Sequence, residues 1–250
     1  MGRSGRIGIM LGVLAVALVI AWWVPPVPQD PAYHRFADAR PFLGVPNALN
    51  VLSNLAFLIA GGAGLGLALG ASGRVAFVDG RERWPWVVFF AGLALTGFGS
   101  AWYHAQPNDA TLVWDRLPMA LGFAGLVAGT LTDREPRWIW QWLFAFAVVG
   151  AGTVLYWHVT ANLVPYLVMQ AGFMAATLIA TAYIPTRYTH ANRIYAAAGL
   201  YALALIFERL DHQVHALLGG WISGHTLKHL LACAAIVIVY AMLRERCLSD

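Results

Sequence analysis

GSAWYHAQPNDATLVWDRLPM, residues 99–119, joins the end of one apolar segment to the start of the next through a short polar turn, AQPNDAT. Ser100 and His104 stand at the end of the first segment and Asp115 near the start of the second. An adjacent pair of apolar segments with ionisable groups at their shared end decides the fold, provided the rest of the chain repeats the pattern.

It does. Of the 250 residues, 60% are hydrophobic and only 11% are charged, against about 25% charged in soluble domains. Mean hydropathy is +0.63. Apolar runs fall at roughly 7–24, 50–72, 85–104, 112–132, 138–157, 162–184, 193–210 and 222–243. Each is near the 20 residues needed to cross a hydrocarbon core of about 30 Å. Lipid offers no partner for free backbone groups, so such runs are helices. The expected fold is therefore an all-α integral membrane protein: a seven-helix core over 31–250, preceded by one N-terminal helix within 1–30. The basic start GRSGR and the apolar IGIMLGVLAVALVI have the parts of a signal peptide. AWWVPP then lacks a small-x-small cleavage site, so the reading favours a retained helix.

Most of the 16 lysines and arginines, including Arg3, Arg6, Arg74, Arg81, Arg134, Arg187 and Arg246, fall in alternate loops. Positive loops stay inside, which puts the N-terminus inside and residues 104–112 outside. The formal charge of +4 is scattered rather than clustered, so nucleic acid is not an expected partner. Short loops leave no evident docking segment for an obligate protein partner. Cys233 and Cys247 do not suggest a disulfide framework. The nearly lysine-free, arginine-based composition and short loops suggest a bacterial inner membrane, with the 104–112 end facing the periplasm.

The last apolar run opens at that same level with SGHTLKH, where His225 and His229 are four apart and share a helix face. Three histidines and an aspartate thus gather at one depth. Intramembrane ionisable groups are costly and mark function. Three neutral imidazoles with an open fourth position form the usual catalytic zinc arrangement. His104, His225 and His229 are the predicted metal ligands. Thr226 follows the first histidine of the pair where a metalloprotease helix would carry Glu, so Asp115 is the predicted general base and Ser100 a hydrogen-bond donor beside it.

Ser100-x-x-x-His104, the Asp115 of WDRLPM and the late His225-x-x-x-His229 resemble the alkaline ceramidases. Their superfamily also holds the adiponectin-type receptors and the Per1-like proteins. Asn50, Ser53, Asn54 and Phe57, in the pattern NxxSNxxF, resemble that family's first core helix. The resemblance spans roughly 38–240. It implies seven core helices, zinc on the three histidines, an outward or lumenal site, and hydrolysis of the amide of a ceramide-like membrane lipid. Asp211 and Asn54 are the expected supporting residues behind the ligands. Eukaryotic members carry an acidic stretch that the resemblance assigns to calcium. Here YHRFADARPFLGVPNALN, 33–50, holds one acid, Asp38, with Asn47 where a glutamate is expected. Calcium takes six to eight oxygens, so zinc is predicted and calcium is left open.

Other readings use the same residues: a receptor-like lipid-binding protein with structural zinc, a lipid esterase or phospholipase, a serine nucleophile, or a haem carrier. The D-H-x-x-H cluster of Asp211, His212 and His215 reads as a solvated interfacial loop. Glu208 needs a partner, with Arg209 or an asparagine of the second span the candidates. The bland alternative for Asp115 and Arg116 is a neutralising pair at a helix start, and Cys233 reads as an apolar filler. His34, His158 and His190 read as loop residues without a role.

Overall fold

The computed structural model describes residues 2–70 and 77–249, so Arg74 lies outside the described residues, as do the side chains of Arg3 and Arg6. The architecture is wholly helical, and no strand occurs among the described residues. The helices are α1 (Arg3–Trp23), α2 (Ala48–Leu52), α3 (Leu55–Leu69), α4 (Arg83–Ala105), α5 (Asp109–Thr132), α6 (Ile139–Thr160), α7 (Val164–Tyr183), α8 (Arg193–Arg209), α9 (Asp211–Leu217) and α10 (Gly224–Glu245). Six helical stretches among the described residues are long and apolar enough to cross a membrane: Ala48–Leu69, Gly80–Ala105, Asp109–Thr132, Pro136–Thr160, Val164–Tyr183 and Gly224–Glu245. The protein is thus a membrane-spanning helical bundle. The predicted segment at 193–210 forms α8, which at 17 residues is the shortest of the long helices apart from α3. α1 lies along α7, with Ile7, Leu11 and Leu14 in the same apolar cluster as Met169 and Phe173.

The predicted single run at 50–72 is interrupted. α2 ends at Leu52 and α3 begins at Leu55, with Ser53 and Asn54 between them. Both side chains bond back to the Asn50 carbonyl, Ser53 Oγ at 3.0 Å and Asn54 Nδ2 at 2.7 Å. Short polar side chains compete in this way with the helical backbone ladder.

α4 and α5 pack most closely where the site is built. Pro118 has no N–H to donate to the Trp114 carbonyl one turn earlier. That carbonyl faces Gly99, where a Cβ would sit 1.8 Å from the oxygen. Only glycine admits this approach, and it places the next residues in each helix, Ser100 and Asp115, side by side. A second close approach, Gly125 against the Phe89 backbone, holds the deeper half of the same pair together.

Residues 24–47 run across the end of the bundle that carries His104. The Val27 N–H reaches Asn162 Oδ1 at 3.3 Å and the Leu163 N–H reaches the Val27 carbonyl at 2.8 Å. Farther along, the Ala37 N–H donates to Asp211 Oδ2 at 2.8 Å, and Arg40 Nη2 to the Trp221 carbonyl at 2.9 Å. The opposite end is fastened by ion pairs, Arg187 with Glu82 at 2.8 Å and Arg246 with Asp133 at 3.1 Å.

Candidate metal centre

α4 supplies His104 from its last turn, and α10 supplies His225 and His229 from one face of its first two turns. All three are buried, at 1%, 4% and 2% exposure. His104 Nε2 lies 3.3 Å from His229 Nε2 and 3.3 Å from His225 Nε2. The three ligand atoms fall within 4.8 Å of one another, and they form the only cluster of metal-ligating side chains among the described residues. The two pairs that share His104, each 3.3 Å apart, match edges of a tetrahedron whose centre is about 2.0 Å from each corner, the Zn–N distance, while His225 and His229 stand farther from each other. The three buried histidines could hold a metal ion, and their imidazole nitrogens are donors that zinc accepts.

The imidazoles are held from behind. Ser53 Oγ donates to the Asn50 carbonyl, so its lone pair accepts from His229 Nδ1–H at 2.7 Å. That bond leaves Nε2 bare and facing the cluster, a hydrogen-bonded orientation typical of metal-binding histidines. The His225 backbone N–H donates to Asp211 Oδ1 at 2.7 Å, while Ser223 caps the Thr226 N–H at 3.1 Å. Asn47 Nδ2 donates to the His104 carbonyl at 2.8 Å. Phe36, from the crossing segment, packs its ring 4.6 Å from that of His104 and 4.8 Å from that of His225.

Ser100 and Asp115 are buried at 2% and 6% exposure, on the adjacent helices α4 and α5. Both line a cavity of about 670 Å³ together with His225 and His229. The cavity runs from the histidines past Phe89 and Leu126 to Val239, about 15 Å beyond His229 along α10 at 1.5 Å per residue. Its wall is mostly apolar below the histidines. The structure thus brings together Ser100, His104, Asp115, His225 and His229.

Several expectations are corrected. Asn54 hydrogen-bonds the Asn50 carbonyl, and it is its neighbour Ser53 that hydrogen-bonds a ligand histidine. Asp211 supports the backbone of His225 rather than its ring, and it is buried at 8% exposure rather than solvated. Two backbone N–H groups replace its water. Glu208 takes neither candidate partner: it binds the Lys228 ammonium and accepts from Tyr33 Oη at 3.0 Å. Arg116 makes no ion pair with Asp115. Its guanidinium stacks over Trp157 at 4.3 Å and Tyr166 at 5.0 Å. His34 is tied to Tyr103 Oη at 3.0 Å and Asp109 at 3.2 Å, and His158 lies in α6. Asp38, the lone acid of the calcium comparison, is held in a fork by Arg40 at 2.8 and 2.7 Å. This pairing pulls its carboxyl below the usual range.

The sequence matches no model of a known protein family, and it matches no curated protein.

Proposed function

We propose that this chain is a zinc-dependent membrane hydrolase that cleaves the amide of a ceramide-like lipid, the activity implied by its resemblance to the alkaline ceramidases. The observation that carries the reading is the convergence of three buried Nε2 atoms at the head of an apolar cavity, with a buried carboxylate on the same wall. His104, His225 and His229 hold the metal, which when bound supplies Lewis acidity toward water and a carbonyl oxygen. Asp115 accepts a proton from water as the water oxygen adds to the amide carbon. It returns that proton to nitrogen as the C–N bond breaks, so one carboxylate serves as base and then acid. Ser100, which lines the same cavity as Asp115, orients the water or stabilises the developing oxyanion. The apolar run toward Val239 takes an acyl or sphingoid chain and excludes water. Arg81, Arg134, Arg187 and Arg246 lie at the end away from the histidines, which supports a periplasm-facing site in a bacterial inner membrane.

Elemental analysis of the purified protein beside a His225→Ala, His229→Ala double variant tests the centre. About one zinc per chain, lost in the variant, is expected. Fluorescent ceramide turnover should then vanish in Asp115→Asn with zinc retained. Wild type that holds no metal under chelator-free purification overturns the reading. Turnover of an ester analogue but not the amide would reassign the substrate bond.

A further inference from the structure

Arg116 is an arginine buried to 5% exposure in a membrane bundle, and its charge has no counter-ion within ion-pair distance among the described residues. Asp115, the adjacent residue, makes no ion pair with it among the described residues. Glu208, on the facing helix, is committed to Lys228. The guanidinium itself is well built into place. Gln29 Oε1 accepts from Nη2 at 2.6 Å, and the rings of Trp157, Tyr166 and Tyr33 lie 4.3, 5.0 and 5.6 Å from its central carbon. The remaining terminal nitrogen, Nη1, is buried with no hydrogen-bond partner. Arg116 lines the same cavity as His225 and His229, as do Gln170 and Tyr201.

A buried donor without an acceptor costs free energy, and more so when it is charged. Packing and one amide fix the orientation of this fork, which belongs to a residue lining the cavity, and its Nη1 donor has no protein acceptor. We propose that Arg116 is a recognition site for an oxyanion (phosphate, sulfonate or carboxylate), carried on the polar end of a lipid whose chain lies in the apolar run. Planar guanidinium against oxyanion is the pairing for which arginine outperforms lysine. The inference extends the hydrolase reading from plain ceramide, which carries no anion, to relatives with an anionic headgroup, and it rests on that reading only for the word substrate.

Binding rather than turnover tests it. Dodecyl phosphate, uncharged dodecanol and inorganic phosphate are titrated against the full chain in neutral detergent, read by intrinsic tryptophan fluorescence and by thermal shift. Wild type should bind dodecyl phosphate at least about tenfold more tightly than dodecanol, the scale of one charge-assisted hydrogen bond. Arg116→Gln should erase that preference while keeping its zinc, and Arg116→Lys should restore part of it. Tight binding of inorganic phosphate alone, with no gain from the alkyl chain, would overturn the lipid source in favour of a free anion. Equal affinity for dodecyl phosphate and dodecanol in wild type would overturn the proposal even if Arg116→Gln fails to fold. The His225→Ala, His229→Ala double variant separates the two claims: it loses the metal and should retain the phosphate preference.

Discussion

Ser53→Ala removes one hydroxyl and should weaken the metal centre without touching a ligand. Ser53 Oγ is committed as a donor to the Asn50 carbonyl at 3.0 Å, so it can only accept from His229, at 2.7 Å. This fixes the proton on Nδ1 and the bare lone pair on Nε2, which faces His104 Nε2 3.3 Å away. Without the hydroxyl, the ring is free to take the other tautomer or to turn about χ2, and both withdraw the lone pair. Loss of such a supporting bond costs about 10- to 100-fold in metal affinity, or about 1.4 to 2.7 kcal/mol. Ser53 is only half-buried, so water can partly replace it, which places the effect near the tenfold end. The assay is competition for zinc against a fluorescent chelator of known affinity, on protein in detergent. Ser53→Thr keeps the hydroxyl and should stay near wild type, as should Asn54→Ala, whose side chain hydrogen-bonds the Asn50 carbonyl. An unchanged zinc affinity in Ser53→Ala would refute the claim that this hydroxyl sets the tautomer.

Gly99→Ala places a Cβ 1.8 Å from the Trp114 carbonyl oxygen, a backbone atom that cannot swing aside. It should destabilise the bundle by about 3 kcal/mol, the upper end for overpacking, in thermal unfolding. Asp211→Asn loses a charged acceptor shared by the Ala37 and His225 N–H groups. The expected cost is about 2 kcal/mol, measured by denaturant unfolding in detergent. Arg40 holds the Asp38 carboxyl below its usual value. A depressed carboxyl contributes stability above its unfolded pKa and loses it as pH falls through the folded one. Arg40→Gln should therefore leave stability below wild type at neutral pH and narrow the difference under acid, seen as a flatter fall in melting temperature between pH 5 and pH 3.

The metal cluster was legible because it needs only two facts that sequence carries: an i,i+4 pair, and two segments beginning or ending at one depth. Ser100 and Asp115 followed from the same reasoning, since the short turn AQPNDAT leaves their helices adjacent. What stayed hidden depends on contacts that no periodicity records. The break at Ser53 carries neither glycine nor proline, so the apolar run reads as continuous and the serine as an ordinary helix residue. The rings around Arg116 come from the crossing segment, α6 and α7, and their meeting is visible only in three dimensions. Lys228 and Glu208 lie on separate helices, so their pairing follows from the packing of α10 against α8 rather than from spacing. Asp211 read as solvated because a D-H-x-x-H string is polar. Nothing in the string shows that two backbone N–H groups stand where water would be.

The segment that crosses the bundle also sets an order of events. Ala37 is fastened to a carboxylate 174 residues later, and Ser53 to a histidine 176 residues later. During synthesis, the first of the three ligand histidines is therefore in the bilayer long before its two partners exist. The centre is completed only when the last helix inserts, and its early half waits beneath a strap whose anchors are also still to be made. Loop closure over such spans costs only slowly more with length, so the delay comes from chain order rather than from entropy. The three-histidine centre is thereby completed late in assembly, and a chain truncated before α10 would carry only His104 of the three.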